Sequence, residues 1–102
     1  MGGMTGGDGL RDAAALFALL ANHNRLLLLR SLCLGPRSVT QLHDCVPEIS
    51  QAALSQHLSL LRANRVVACD RRGQRSVYTL TDHRVRRMVE SAEELFYPVK
   101  TG

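Results

Sequence analysis

Apolar positions recur along most of the chain with a helical period. Leu10, Ala14, Phe17 and Leu20 fall on one face, and Leu16 and Leu19 widen the stripe, which predicts a first helix over 10–21. "NHNR" interrupts it, and Asn22 suits the N-cap of a second helix, His23 to Cys33. Leu26 to Leu29 is apolar on every side, as expected of a helix buried by several neighbours. "GPR" (35–37) stops that helix. Ser38 can cap a short third helix, Val39 to Cys45, with Leu42 inward and Pro47 beyond its end. Ser50 can cap a fourth, reaching about Ala63, whose inward stripe is Ala53, Leu54, Leu58 and Leu61.

The period then changes. Val66 to Asp70 and Ser76 to Leu80 are β-branched or apolar runs flanking "RRGQR", where Gly73 can take positive φ, so a β-hairpin is expected. Thr81 or Asp82 caps a last helix, with Val85, Met88, Val89, Ala92, Leu95 and Phe96 on one side. The order is α-α-α-α-β-β-α: mainly α with a β-hairpin, the third and fourth helices forming a helix-turn-helix. Residues 1–9, rich in glycine, are expected to be a disordered tail, 10–97 one domain, and 98–102 a C-terminal tail.

A chain of 102 residues fits one domain, small enough to gain from a partner. There is no Trp, and only Phe17, Phe96, Tyr78 and Tyr97 are aromatic, which argues against stacking on single-stranded nucleic acid. The net charge of +4 matters less than its distribution. Between Ser50 and Leu80 lie Arg62, Arg65, Arg71, Arg72 and Arg75 against the single acid Asp70. Glu90, Glu93 and Glu94 collect in the last helix, so one face should be basic and another acidic. Three cysteines without a CxxC or CxC pair argue against a disulfide framework and for a reducing compartment. No apolar run has the length of a membrane span, and the N-terminus lacks the pattern of a signal peptide. The expectation is a cytoplasmic protein with no membrane partner.

The fourth helix and the hairpin together suggest a duplex-DNA reader. A recognition helix in the major groove needs short hydrogen-bonding side chains near its N-terminus. Gln can pair with adenine, Ser with several bases, and an Ala methyl can meet a thymine methyl. Ser50, Gln51, Ala52, Ser55 and Gln56 have that chemistry and position, and His57 could reach a phosphate or a base. Arg62, Arg71, Arg72, Gln74 and Arg75 suit the adjacent backbone or the minor groove. Taken singly, each of these residues is more often plain solvated surface; their adjacency behind a short helix and a tight turn makes the case.

The stretches "LFALLANHNRLLLLRSL", "SVTQL", "ISQAALSQHLSLLRANRVV" and "RRGQRSVYTLTDHRV" resemble the ArsR/SmtB family of winged-helix bacterial repressors, over nearly all of Leu10 to Phe96. Asn22-His23 and Asp82-His83 stand where the family often has Asp-Pro, a change that leaves each helix start intact. The resemblance implies a dimeric winged helix-turn-helix, a homodimer joined through the first and last helices. It also implies two recognition helices on a palindromic operator, and release of DNA on metal binding or cysteine oxidation. Phe17, Leu20, Met88, Ala92, Leu95 and Phe96 are the expected interface, unless they fill the core of a single subunit.

The family's effector sites are largely missing. Val39 and Gln41 stand where a thiol sensor has CxC. Asp82 is kept from the sensors that bind zinc, nickel or cobalt, but Arg84 replaces their histidine, and their later ligands fall near Leu95 and Pro98. A different site is conceivable for nickel or zinc, with Asp82 or His83 meeting Glu93 or Glu94 of an antiparallel partner; the plain alternative is a helix cap and a solvated face. His43, Asp44 and Cys45 are consecutive on a helix and point about 100° apart, so they chelate poorly. Cys33 matches one of the two cysteines of the redox-sensing branch, but no cysteine stands near Phe96 or Tyr97 to pair with it. A relaxed metal site, cysteine redox control or a protein co-regulator all stay open. No nucleotide-binding loop or nucleophile motif suggests an enzyme. The readings are thus a regulator of the repressor type for a small stress or metal-response operon, or a winged-helix module that binds only protein.

Overall fold

The computed structural model describes the backbone of residues 2–96 and the side chains of 9–96. The elements are α1 (Gly2–Leu20), α2 (His23–Cys33), β1 (Arg37–Ser38), α3 (Val39–Cys45), α4 (Gln51–Ala63), β2 (Val67–Arg72), β3 (Arg75–Leu80) and α5 (His83–Phe96). Short polar side chains start four of the helices. The Asn22 Oδ1 accepts from the Arg25 N–H at 3.0 Å, and the Ser50 Oγ from the Ala53 N–H at 3.0 Å. Ser38 and Gln41 form a reciprocal capping box: the Ser38 Oγ accepts from the Gln41 N–H and the Gln41 Oε1 from the Ser38 N–H. Asp82 begins α5, its Oδ1 accepting from the Arg84 N–H at 2.9 Å.

The core is aliphatic. Leu28, Leu29 and Leu32 of α2 meet Leu42 of α3, Leu54, Leu58 and Leu61 of α4, and Val85 and Val89 of α5. Each buried leucine contributes about 2 kcal/mol. Leu26 and Leu27 are half-buried against this cluster, so α2 is covered on several sides as its composition requires.

Two features differ from the sequence expectation. The first helix extends back through Gly2 rather than starting at Leu10 behind a disordered tail. The hairpin is part of a three-stranded antiparallel sheet ordered β1-β3-β2. Strand β1 pairs Arg37 with Tyr78 and Ser38 with Val77; two residues are too short to show a period and are defined only by their partner. The proposed tail at 98–102 and Tyr97 lie outside the described residues.

Helix α1 buries only one side of its expected stripe. Leu16, Leu19 and Leu20 pack on the core, whereas Leu10 and Phe17 are 74% and 60% exposed. Leu20 was expected at a subunit interface and is instead buried in the chain's own core. Positions 16, 19 and 20 also make a helical stripe, and α2 is the neighbour that selected it.

Candidate nucleic-acid interface

The helix-turn-helix is fixed from both ends. The capping box holds the start of α3, and His43 Nε2 lies 2.9 Å from the Ile49 carbonyl, spanning the turn just before α4. Donation there through Nε2–H closes the turn, so His43 is engaged in structure and not splayed toward Asp44 and Cys45. With Leu54, Leu58 and Leu61 buried, the helical repeat leaves Gln51, Ala52, Ser55 and Gln56 exposed together. Ser50 is exposed too, but its Oγ is already used as the cap.

His57 stands apart from that row. It is half-buried, and its Nδ1 lies 3.4 Å from Nη1 of Arg25. Burial, and then the Arg25 charge, push its pKa below the usual histidine value.

The helix leads straight into the hairpin. Gly73 takes φ +67° in the two-residue turn between β2 and β3, the place where such turns favour glycine. Register places Arg72 opposite Arg75 and Arg71 opposite Ser76. Side chains alternate along a strand, so Arg72 and Arg75 share one face and Arg71 lies on the other. Arg62, Arg71, Arg72, Gln74 and Arg75 are all exposed. The one acid of the region, Asp70, is 3.2 Å from the Arg72 Nε, which leaves Arg71 and Arg75 less neutralised. Lower on the hairpin, Cys69 faces Tyr78 across the strands; burial and then the Cys69 hydrogen bond raise the tyrosine pKa.

The candidate effector residues are dispersed in the single chain. Asp82 and His83 begin α5, while Glu93 and Glu94 lie near its end, about 16 Å along a helix of this length. The Asp82 carboxylate takes a two-pronged contact from Arg84, Nε to Oδ1 at 3.1 Å and Nη2 to Oδ2 at 2.8 Å. Glu93 is 3.6 Å from Arg30. Among the described residues, no three His, Cys, Asp or Glu side chains come together as a metal site. Cys33 is half-buried; its thiol pKa is raised, chiefly by burial, which disfavours the reactive thiolate. Its carbonyl accepts from the Arg86 Nη1 at 2.7 Å, tying α5 to the end of α2.

Of the expected interface residues, Phe17, Leu95 and Phe96 are exposed at 60%, 75% and 78%, and Met88 and Ala92 are half-buried. Arg25 and the αL residue Arg65 (φ 59°) escaped sequence reasoning. Both lie in the family-like stretches, but no local spacing announces an Arg25–His57 contact or a left-handed Arg65.

A short helix, a fixed turn, a helix with an exposed polar row and a basic antiparallel hairpin define a winged helix-turn-helix of the DNA-binding regulator class. Residues 19–95 match the model of the HxlR-like helix-turn-helix family. The chain is 37% identical to the transcriptional activator HlyU of Vibrio cholerae over 84 residues, 82% of this chain and 77% of that one. It is 35% identical to the transcriptional regulator NmtR of Mycobacterium tuberculosis over 81 residues, 79% and 67% of the two chains. The structure of the transcriptional repressor BigR from Xylella fastidiosa superposes with a TM-score of 0.83 at 27% identity, covering 98% of this chain and 100% of that one. The chain belongs to the ArsR/SmtB family of winged-helix transcriptional regulators, and is a regulator and not an enzyme. Among the described residues no helix is long and apolar enough to cross a membrane.

Proposed function

We propose that the chain is a repressor that binds double-stranded operator DNA as a homodimer. Gln51, Ala52, Ser55 and Gln56 read base edges, and Arg62, Arg71, Arg72, Gln74 and Arg75 meet the phosphates or minor groove. The observation that carries this reading is an exposed polar row on α4, four side chains suited to base edges, with exposed arginines at the tip of the hairpin that follows. The exposed Phe17, Leu95 and Phe96, with Leu10, give the second copy an apolar face to cover. Relatives named both activator and repressor share this architecture, so the repressor role is our reading and not a consequence of the fold.

Control by nickel or zinc through Asp82 and His83 requires a second copy to bring Glu93 and Glu94 alongside, and Asp82 must leave Arg84. Calorimetric titration with each metal, repeated on Asp82→Asn and His83→Gln, tests that route against cysteine or protein control. The DNA reading is tested by gel shift on the promoter of the chain's own operon at low salt. A retarded band that weakens steeply with added salt is expected. No band at low salt refutes it and favours a protein-binding module.

A further inference from the structure

Arg25 occupies a junction of three helices. Its backbone N–H is held by the Asn22 cap at 3.0 Å. Its Nε donates to the Leu19 carbonyl at 2.6 Å, in the last turn of α1. Its Nη1 reaches His57 Nδ1, in the middle of α4, at 3.4 Å. A guanidinium has donors only, so His57 can complete this contact only as a neutral ring with a free lone pair on Nδ1. The contact is long for a hydrogen bond, and Arg25 is also the charged group that acts on the ring. Phe17, on the exposed face of α1, lies two residues before Leu19. One side chain thus joins the helix expected to meet a second copy to the helix expected to read DNA.

We propose that Arg25 is a positioning residue for the recognition helix, holding neutral His57 from the α1–α2 junction so that the row Gln51 to Gln56 meets DNA at a fixed angle. The proposal rests on the DNA-reading role of α4. It removes His57 from the set of direct DNA contacts and gives it an inward task.

The two roles for His57 predict opposite responses to acid. A histidine meeting a phosphate binds more tightly once protonated. A histidine held by Arg25 loses its acceptor on protonation and sets two cations together. Arg25 is the charged group that acts on the ring; α4 itself carries only Arg62 and no acid, and α1 presents a carbonyl at the junction. Specific binding therefore weakens as pH falls below the ordinary histidine range near about 6.5.

The test uses the full chain, with fluorescence anisotropy on the operator and on an unrelated duplex at about pH 7.5 and about pH 5.5. His57→Asn places an amide oxygen near the Nδ1 position, accepts from Arg25 and does not titrate. It should keep neutral-pH affinity and lose the acid sensitivity. Arg25→Met should weaken operator binding by roughly two- to thirtyfold, the range for residues that modulate a site without touching its ligand. It should leave the unrelated duplex unchanged, and Arg25→Lys should recover part of the loss. Thermal melting and solution mass establish that each variant is folded in the wild-type assembly. If wild-type binding tightens in acid and His57→Asn abolishes the gain, His57 is a phosphate contact and the proposal fails. Equal loss on both duplexes for Arg25→Met makes Arg25 itself a phosphate contact, which also overturns it. NMR titration of the His57 ring separates this from the DNA reading. In free protein its pKa should rise in Arg25→Met, and an unchanged titration refutes the contact even when DNA binding stands. A wild type that binds no duplex, with the NMR shift present, refutes the DNA reading and with it the positioning role.

Discussion

The Val66 N–H donates to the Leu61 carbonyl at 2.9 Å, and both side chains are fully buried. Together with the 3.0 Å bond from the Arg65 N–H to the Arg62 carbonyl, this forms a Schellman motif ending the recognition helix. It aims the chain directly into the hairpin. The residue that must turn left-handed is Arg65, at φ 59°, where glycine is the usual choice.

Arg65→Gly should therefore stabilise the fold. Relief of a left-handed side chain, about 1–2 kcal/mol, exceeds the added freedom of the unfolded chain, about 0.4–1 kcal/mol. Urea denaturation should show a gain of roughly 0.5–1 kcal/mol. A clear loss would mean that the Arg65 side chain stabilises the fold by some other contact.

Gly73 is the opposite case. A Cβ there meets nothing within 4 Å, so Gly73→Ala costs conformation and not space. The expected destabilisation is about 1 kcal/mol by chemical denaturation, with weaker operator binding because the hairpin tip carries Arg72 and Arg75. Unchanged stability would show that the turn readily adopts another geometry.

Ser38 is buried, caps α3 and pairs in β1, so Ser38→Ala removes the acceptor for the Gln41 N–H. The loss should be about 1–2 kcal/mol in a thermal or urea melt. Ser38→Thr, which keeps the hydroxyl, should recover part of it.

Asp82 sets an acid limit. Its pKa is lowered, first by the Arg84 hydrogen bond, so it adds stability that is fully present above the unfolded value near about 4. That contribution fades as pH falls through the lower folded value. Asp82→Asn should be less stable than wild type at neutral pH, and the gap should close in acid. A gap that widens in acid would reverse the assigned sign.

Arg75→Ala should weaken every duplex and reduce the salt slope by about 1, whereas Gln56→Ala should change the preferred sequence and leave the slope alone. Gel shifts on operator and random duplexes across a salt series decide this. Equal behaviour of the two variants would undo the division of labour between helix and hairpin.

The sequence by itself determined the helices α2, α3 and α4, the hairpin and the last helix, because each carries its own punctuation. Asn22, Ser38 and Ser50 are local hydrogen-bond acceptors, Gly73 is a local backbone freedom, and the leucine spacing is a local period. The exposed row Gln51 to Gln56 was legible for the same reason, since burial of Leu54, Leu58 and Leu61 leaves it nowhere else to point. Only the tertiary structure decided what depends on a distant neighbour. Strand β1 exists because Tyr78 and Val77 lie beside it. Leu20 faces inward because α2 covers that side of α1, whereas Phe17 on the same expected stripe faces out. His57 borders the buried stripe of α4, but that its ring lies 3.4 Å from Arg25, 32 residues away, is decided by the packing of α2 beside it. Caps and periods act within a few residues and can be read along the chain. A contact closing a loop of dozens of residues leaves no pattern in it, because either partner alone is compatible with many others.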